Sequence, residues 1–141
     1  MATKSYTDLE QSERLTKILP FESADMFCAD VFDKEKETHT YNFHILSTWG
    51  CNTFEELKDR ENKFVRFIPC WPLAALLDIL PKEYYPIKDH KTDLILGKTK
   101  DKWCVLYWDT TGMQHGEETL GDNPVDACYK MILKLKEKKL I

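Results

Sequence analysis

The sequence predicts a single α+β domain over residues 1–141. We expect an antiparallel sheet of about four or five strands, with three or four helices packed mainly on one of its faces. Three observations predict this class. Residues 41–49 alternate between apolar and polar side chains, residues 72–80 are almost wholly apolar, and residues 123–135 repeat apolar side chains at helical spacing. A chain of 141 residues is long enough to bury a core without disulfides or a structural metal.

The first part of the chain predicts a surface helix followed by a β-hairpin. Thr7 and Glu10 have the spacing of a capping box, which predicts a helix over about 7–19. A strand is expected at 24–32 and the alternating strand at 41–49, with a charged turn between them. Because the turn is short, the two strands are expected to pair with each other.

The middle of the chain predicts a short helix and then a core helix. Thr53 has the position of an N-cap for a helix over 54–62. Pro72 suits the first position of a helix over 72–80, where a missing N–H costs nothing. This helix is apolar almost all round, which is typical of a buried helix. Leu76 or Leu77 is therefore expected to be fully buried.

The second half predicts a small meander that ends in a helix. A loop is expected first, because Pro86 argues against a regular strand there. Strands and a helix follow this loop. The ranges are the loop 82–91, strands at 93–97 and 102–109, a third strand at about 113–119, and a helix from 124. Asn123 is the expected N-cap of that helix and Pro124 its first residue.

The composition limits the classes of function. The net charge of −4 makes nucleic acid an improbable partner, and nine apolar residues at 72–80 are too few to cross a bilayer, which needs about 20. The five cysteines include no CxxC pair, and His39 and His44 are expected on opposite faces of one strand. We therefore expect buried structural cysteines, no metal site and no cofactor. The polar first residues contain no signal-peptide core, which favours a cytoplasmic location.

The aromatic strand at 102–109 is the leading candidate for a functional surface. Trp103 and Tyr107 fall on one face and Trp108 on the other, and both faces are apolar. Aromatic side chains left at a surface are enriched in protein interfaces. We therefore predict a small interaction module, which associates with itself or binds a host protein through Trp103, Tyr107 and Trp108.

The segment 109–123 supports an alternative hypothesis, a small hydrolase. It contains three glycines and four acidic residues, and it leads into a helix N-terminus. His115 would be the general base, and Asp109 and Glu117 would orient it or hold a metal. An ordinary solvated acidic loop is the simpler explanation of the same residues.

Four stretches resemble one group of proteins: YTDLEQS (6–12), LPFESADM (19–26), PCWPLAALL (69–77) and GDNPVDAC (121–128). The group consists of short uncharacterised proteins from gut-bacterial and phage genomes. In that group a serine usually follows the tryptophan of the third stretch, where this chain has Pro72. The resemblance implies an intracellular setting and a mobile element such as a phage. It implies no activity, cofactor or site residue.

Overall fold

The computed structural model describes residues 4–87, 90–109 and 115–141, without the side chains of residues 86, 87, 90 and 115. Four α-helices and seven strands follow one another along this part of the chain. They are α1 (Leu9–Thr16), β1 (Met26–Asp33), β2 (Thr38–Ile45), α2 (Phe54–Lys58), β3 (Val65–Cys70), α3 (Leu73–Ile79), β4 (Glu83–Ile87), β5 (His90–Thr99), β6 (Lys102–Trp108), β7 (His115–Gly121) and α4 (Pro124–Glu137). All the strand pairs are antiparallel, so the predicted α+β class is confirmed.

The strands form two sheets, where the sequence analysis expected one. The first has the order β2-β1-β3 and the second the order β4-β5-β6-β7. Alternating side chains reveal a strand but not its partner, and β3 returns to pair with β1 instead of extending the later meander. The chain groups into two compact units, one of residues 6–75 and one of residues 1–5 with 76–141. That residues 1–141 are one domain stays a prediction.

In the unit of residues 6–75, β1 is the central strand and the predicted hairpin is confirmed. Cys28 lies opposite Phe43 of β2 and Ile68 of β3. Four consecutive residues of β1, from Phe27 to Asp30, are buried, as expected of a strand with a neighbour on both sides. The observed strand β2 ends at Ile45, so Trp49, which the sequence analysis placed in this strand, lies instead in a 3₁₀ helix over Leu46–Trp49.

The N-cap of α1 is Asp8, which corrects the prediction of Thr7. The Asp8 carboxylate accepts a hydrogen bond from the backbone N–H of Gln11, whose side chain accepts one from the N–H of Asp8. This capping box is complete one residue later than expected, and α1 ends at Thr16. The predicted cap of α2 is confirmed, since Thr53 accepts a hydrogen bond from the N–H of Glu56.

In the unit of residues 76–141, α4 packs against β6 and β7. Its predicted start is confirmed, because the Asn123 side chain accepts a hydrogen bond from the N–H of Asp126 and Pro124 is the first helical residue. A Cβ atom on Gly121 would lie 2.6 Å from the backbone nitrogen of Ala127. Glycine at position 121 therefore permits the close approach of β7 to α4.

Residues 83–87 form β4, where the sequence analysis predicted a loop. Pro86 is compatible with this strand because β4 lies at the edge of its sheet. The pairing of β4 with β5 shifts register between Tyr84 and Ile87, which is a usual way to place a proline in a strand. The predicted third strand of the meander is confirmed as β7.

The predicted core helix is α3, and Leu76 is fully buried in it as expected. Leu77 is half-buried and Ala74 is exposed, so the helix is not buried on every side. The boundary between the two units falls between Ala75 and Leu76, within this helix. None of the helices in residues 4–87, 90–109 and 115–141 combines the length and the apolar character needed to cross a membrane.

Candidate functional site

The three predicted aromatic residues do not form one surface. Tyr107 is fully buried, and its hydroxyl donates a hydrogen bond to the carbonyl of Pro81 at 2.7 Å. Trp103 lies opposite Gly121, on the face of the sheet that packs against α4, and is half-buried. Trp108 points to the opposite face and is 40% exposed. Of the three, Trp108 is the most exposed.

Trp108 belongs to an exposed apolar patch that crosses three strands. Ile95 of β5 lies directly opposite Leu106 of β6, two residues before Trp108, and Leu120 of β7 lies on the same face. Ile95 is 40% exposed and Leu120 46% exposed, while Leu106 between them is half-buried. Side chains on neighbouring strands of one face are close enough to touch. We call Ile95, Leu106, Trp108 and Leu120 the outer face.

Charged side chains border the outer face. Asp93 lies opposite Trp108, and Glu118 lies opposite Leu106. Lys91 makes ion pairs with Asp93 at 3.6 Å and with Glu83 at 3.4 Å. An apolar centre with a charged margin is the usual arrangement of a protein interface.

The three catalytic candidates are only partly within the described residues. Asp109 is buried at the end of β6. Glu117 faces α4, where it accepts ion pairs from Lys138 and, at 3.0 Å, from Lys134; hydrogen bonds from these two lysines, that of Lys138 first, lower the pKa of Glu117. Residues 110–114 and the side chain of His115 lie outside the described part of the chain. The hydrolase at 109–123 stays a prediction.

The cysteines are buried, as predicted for structural residues. Burial is the first cause that raises the pKa of Cys28 and Cys104 to about 11 and that of Cys70 and Cys128 to about 12. A nucleophilic cysteine needs the thiolate form near neutral pH, which these pKa values oppose. Within the described residues, no group of three or more His, Cys, Asp and Glu side chains could hold a metal ion.

A polar cluster that the sequence analysis missed lies on the three-stranded sheet. Asp30 of β1 lies opposite Arg66 of β3, and His39 of β2 is its diagonal neighbour across the hairpin. One carboxylate oxygen of Asp30 is 2.6 Å from Nδ1 of His39, and the other accepts a hydrogen bond from Nη2 of Arg66 at 3.2 Å. Arg66 Nη2 also reaches Glu13 of α1 at 3.3 Å.

Burial divides this cluster into an inner carboxylate and two outer groups. Asp30 is 5% exposed, whereas the side chains of His39 and Arg66 are about half exposed. The imidazole of His39 stacks on Tyr41, with ring centroids 5.9 Å apart, and contacts Phe32 at 5.0 Å. A buried carboxylate that contacts one ring nitrogen limits the rotation of an imidazole, so the contact with Asp30 fixes the direction of the His39 ring.

The cluster borders a recess of about 280 Å³, whose lining includes Asp30, His39, Arg66 and the rings of Phe32 and Phe64. A larger recess of about 790 Å³ lies beside α2 in the same unit, with carboxylates at Glu22, Asp25, Glu55 and Asp59. The larger recess is lined by no histidine or cysteine. Of the two, only the smaller recess has an imidazole in its lining among the described residues.

Comparison with models of protein families, with curated proteins and with solved structures finds no match to this chain.

Proposed function

We propose that this protein is a small interaction module that binds another protein surface through the outer face of its four-stranded sheet. The observation that supports the proposal is the continuity of Ile95, Leu106, Trp108 and Leu120 across three strands while three of them stay at least 40% exposed. Isolated exposed apolar residues are ordinary, but a contiguous patch is typical of an interaction site.

Trp108 is the expected centre of the contact. Tryptophan is among the residues that contribute most to binding energy when an interface buries them. Burial of apolar surface stabilises a complex by roughly 25 cal/mol for each Å² removed from water, before the costs of association are subtracted. The exposed Trp108 ring, with Ile95 as its diagonal neighbour on β5, offers the partner an apolar anchor.

A second copy of this chain is the first partner to test. Two identical apolar faces can cover each other about a two-fold axis, and such dimers are the commonest symmetric assemblies. The charged margin contains both signs, because Lys91 lies beside Glu83 and Asp93. A two-fold contact can therefore pair opposite charges around the apolar centre. The alternative partner is a different protein whose contact surface has an apolar centre.

Sedimentation velocity over a wide concentration range tests the proposal. We expect the wild type to show a concentration-dependent dimer and Trp108→Ser to remain a monomer. Ile45→Ser is the matched control, because Ile45 is 53% exposed but lies on β2 in the other unit. A wild type that is monomeric throughout would exclude self-association. Affinity capture with the wild type and with Trp108→Ser then tests whether a different protein binds the outer face. Equal capture of a protein by both would exclude this alternative too.

A further inference from the structure

We propose that the recess beside His39 is a hydrolytic site for small esters that carry a carboxylate. His39 would be its general base, Asp30 its positioning residue and Arg66 the group that binds the carboxylate of the substrate. This site lies in the unit of residues 6–75 and is independent of the outer face.

The orientation of His39 supports the role of general base. In neutral imidazole one ring nitrogen carries a proton and the other has a free electron pair. Asp30 accepts from Nδ1 at 2.6 Å, so the neutral ring carries its proton on Nδ1 and its electron pair on Nε2. None of the described residues makes a hydrogen bond to Nε2 of His39. His39 is half-exposed and lines the recess, so its Nε2 is the proton acceptor proposed for this site.

Arg66 is placed to recognise an anionic substrate. Within the described part of the chain, its bonds to Asp30 and Glu13 both use Nη2. The guanidinium group is planar, and its remaining N–H donors can bind a carboxylate in pairs. The rings of Phe32 and Phe64 line the same recess and offer apolar contact to the body of the substrate. Lys63 and Glu61 line the recess as well. The substrate proposed for this lining is an aromatic ester whose carboxylate pairs with Arg66.

The reaction needs only water and the ester. Nε2 of His39 takes a proton from water while the water oxygen forms a bond to the ester carbonyl carbon, whose π electrons move to the carbonyl oxygen. When the carbonyl re-forms, the bond to the alcohol oxygen breaks. Nε2–H then returns the proton to that oxygen, which leaves an acid and an alcohol. Asp30 holds Nδ1–H and stabilises the imidazolium that exists between the two proton transfers.

Hydrolysis of two chromogenic esters by the full chain tests the proposal. Mono-para-nitrophenyl terephthalate carries the carboxylate, and para-nitrophenyl benzoate lacks it. We expect His39→Gln to lower kcat/KM by about 100-fold for both esters, the range of general base catalysis. Arg66→Lys should raise KM for the terephthalate ester alone, since lysine lacks the planar pair of donors. Asp30→Asn should abolish the preference for Nδ1–H, which the nitrogen chemical shifts of His39 report.

His44→Gln is the matched control, because His44 lies on the same strand but faces Phe27 and Trp49. It should hydrolyse both esters as the wild type does. A folded His39→Gln variant with wild-type rates would overturn the proposal, as would equal losses in His39→Gln and His44→Gln. A measurement on the wild type alone guards against misfolded variants. Monomethyl terephthalate should shift the His39 and Arg66 side-chain resonances saturably, and no shift would also overturn the proposal.

Discussion

Thr7 and Trp71, 64 positions apart, are joined by two reciprocal hydrogen bonds. The hydroxyl of Thr7 accepts from the backbone N–H of Trp71 at 3.0 Å, and the N–H of Thr7 donates to the carbonyl of Trp71 at 3.0 Å. The indole N–H of Trp71 donates to the hydroxyl of Ser23 at 3.0 Å. Thr7 and Trp71 are fully buried, so these bonds fix the first residues of the unit of residues 6–75 onto the segment that leads into α3.

Thr7→Val is expected to destabilise the protein by about 1–3 kcal/mol, because it leaves the buried N–H of Trp71 without an acceptor. Urea unfolding measures the change. Thr48→Val is the control, since Thr48 is exposed and a surface substitution is usually within about 0.5 kcal/mol of wild type. If both variants unfold at the wild-type urea concentration, the Thr7–Trp71 bonds do not contribute to stability.

Leu76→Ala is expected to cost about 2–5 kcal/mol of the free energy of unfolding, because it removes a fully buried side chain and leaves a cavity. Leu77→Ala should cost less, since Leu77 is half-buried. Leu140→Ala provides the exposed reference, at 43% exposure. Chemical denaturation of the three variants measures the loss of unfolding free energy in each and so ranks them. An equal cost for Leu76→Ala and Leu140→Ala would contradict the burial of α3.

We expect the folded protein to lose stability in acid because of Glu117. Its pKa in the folded protein is lowered from the ordinary value of 4.5, first by the hydrogen bond from Lys138 and then by that from Lys134. The contribution of the Glu117 carboxylate to the free energy of unfolding is therefore fully present above pH 4.5. It is lost as the pH falls through the lowered pKa. Thermal melts below pH 4.5 should depend less on pH in Glu117→Gln than in wild type. Glu35→Gln, in the exposed hairpin turn, should keep the wild-type dependence.

We expect the cysteine thiols of the folded protein to react slowly with disulfide reagents. Cys70 and Cys128 have pKa values raised to about 12 by burial, and all five thiols are buried. The thiolate is the reactive form, so a disulfide reagent at mildly alkaline pH should label the folded protein slowly and the urea-unfolded protein at once. A thiol that reacts as fast in the folded protein as in urea would show that one of these cysteines is accessible.

Features encoded within a few residues were predictable from the sequence. Asn123 and Pro124 are cap and first turn of one helix, and the hairpin of β1 and β2 follows from alternating side chains around a charged turn. Longer-range features were not. Which face of β6 the terminal helix covers decides that Tyr107 is buried and Trp108 exposed, and alternation alone cannot decide it. Pro86 suggested a loop, because a proline is tolerated in a strand only where that strand lies at the edge of its sheet. The edge position of β4 depends on the order of all four strands, which the local sequence does not reveal.

The cluster of Asp30, His39 and Arg66 was missed because its members come from three strands and meet only through the register. One signal was present in the sequence. Asp30 is a charged residue in the otherwise apolar run from Met26 to Phe32, and a charge in a buried strand needs a partner. A search for that partner on the neighbouring strands would have led to His39 and Arg66.

Acrylamide quenching of tryptophan fluorescence at rising protein concentration tests the proposed interaction surface most directly. Trp71 is buried, Trp49 and Trp103 are half-buried, and Trp108 is 40% exposed, so the most accessible emission should be absent from Trp108→Phe. The account predicts that this component becomes inaccessible to acrylamide as the wild type associates. A component that stays equally accessible at every concentration would contradict self-association through the outer face.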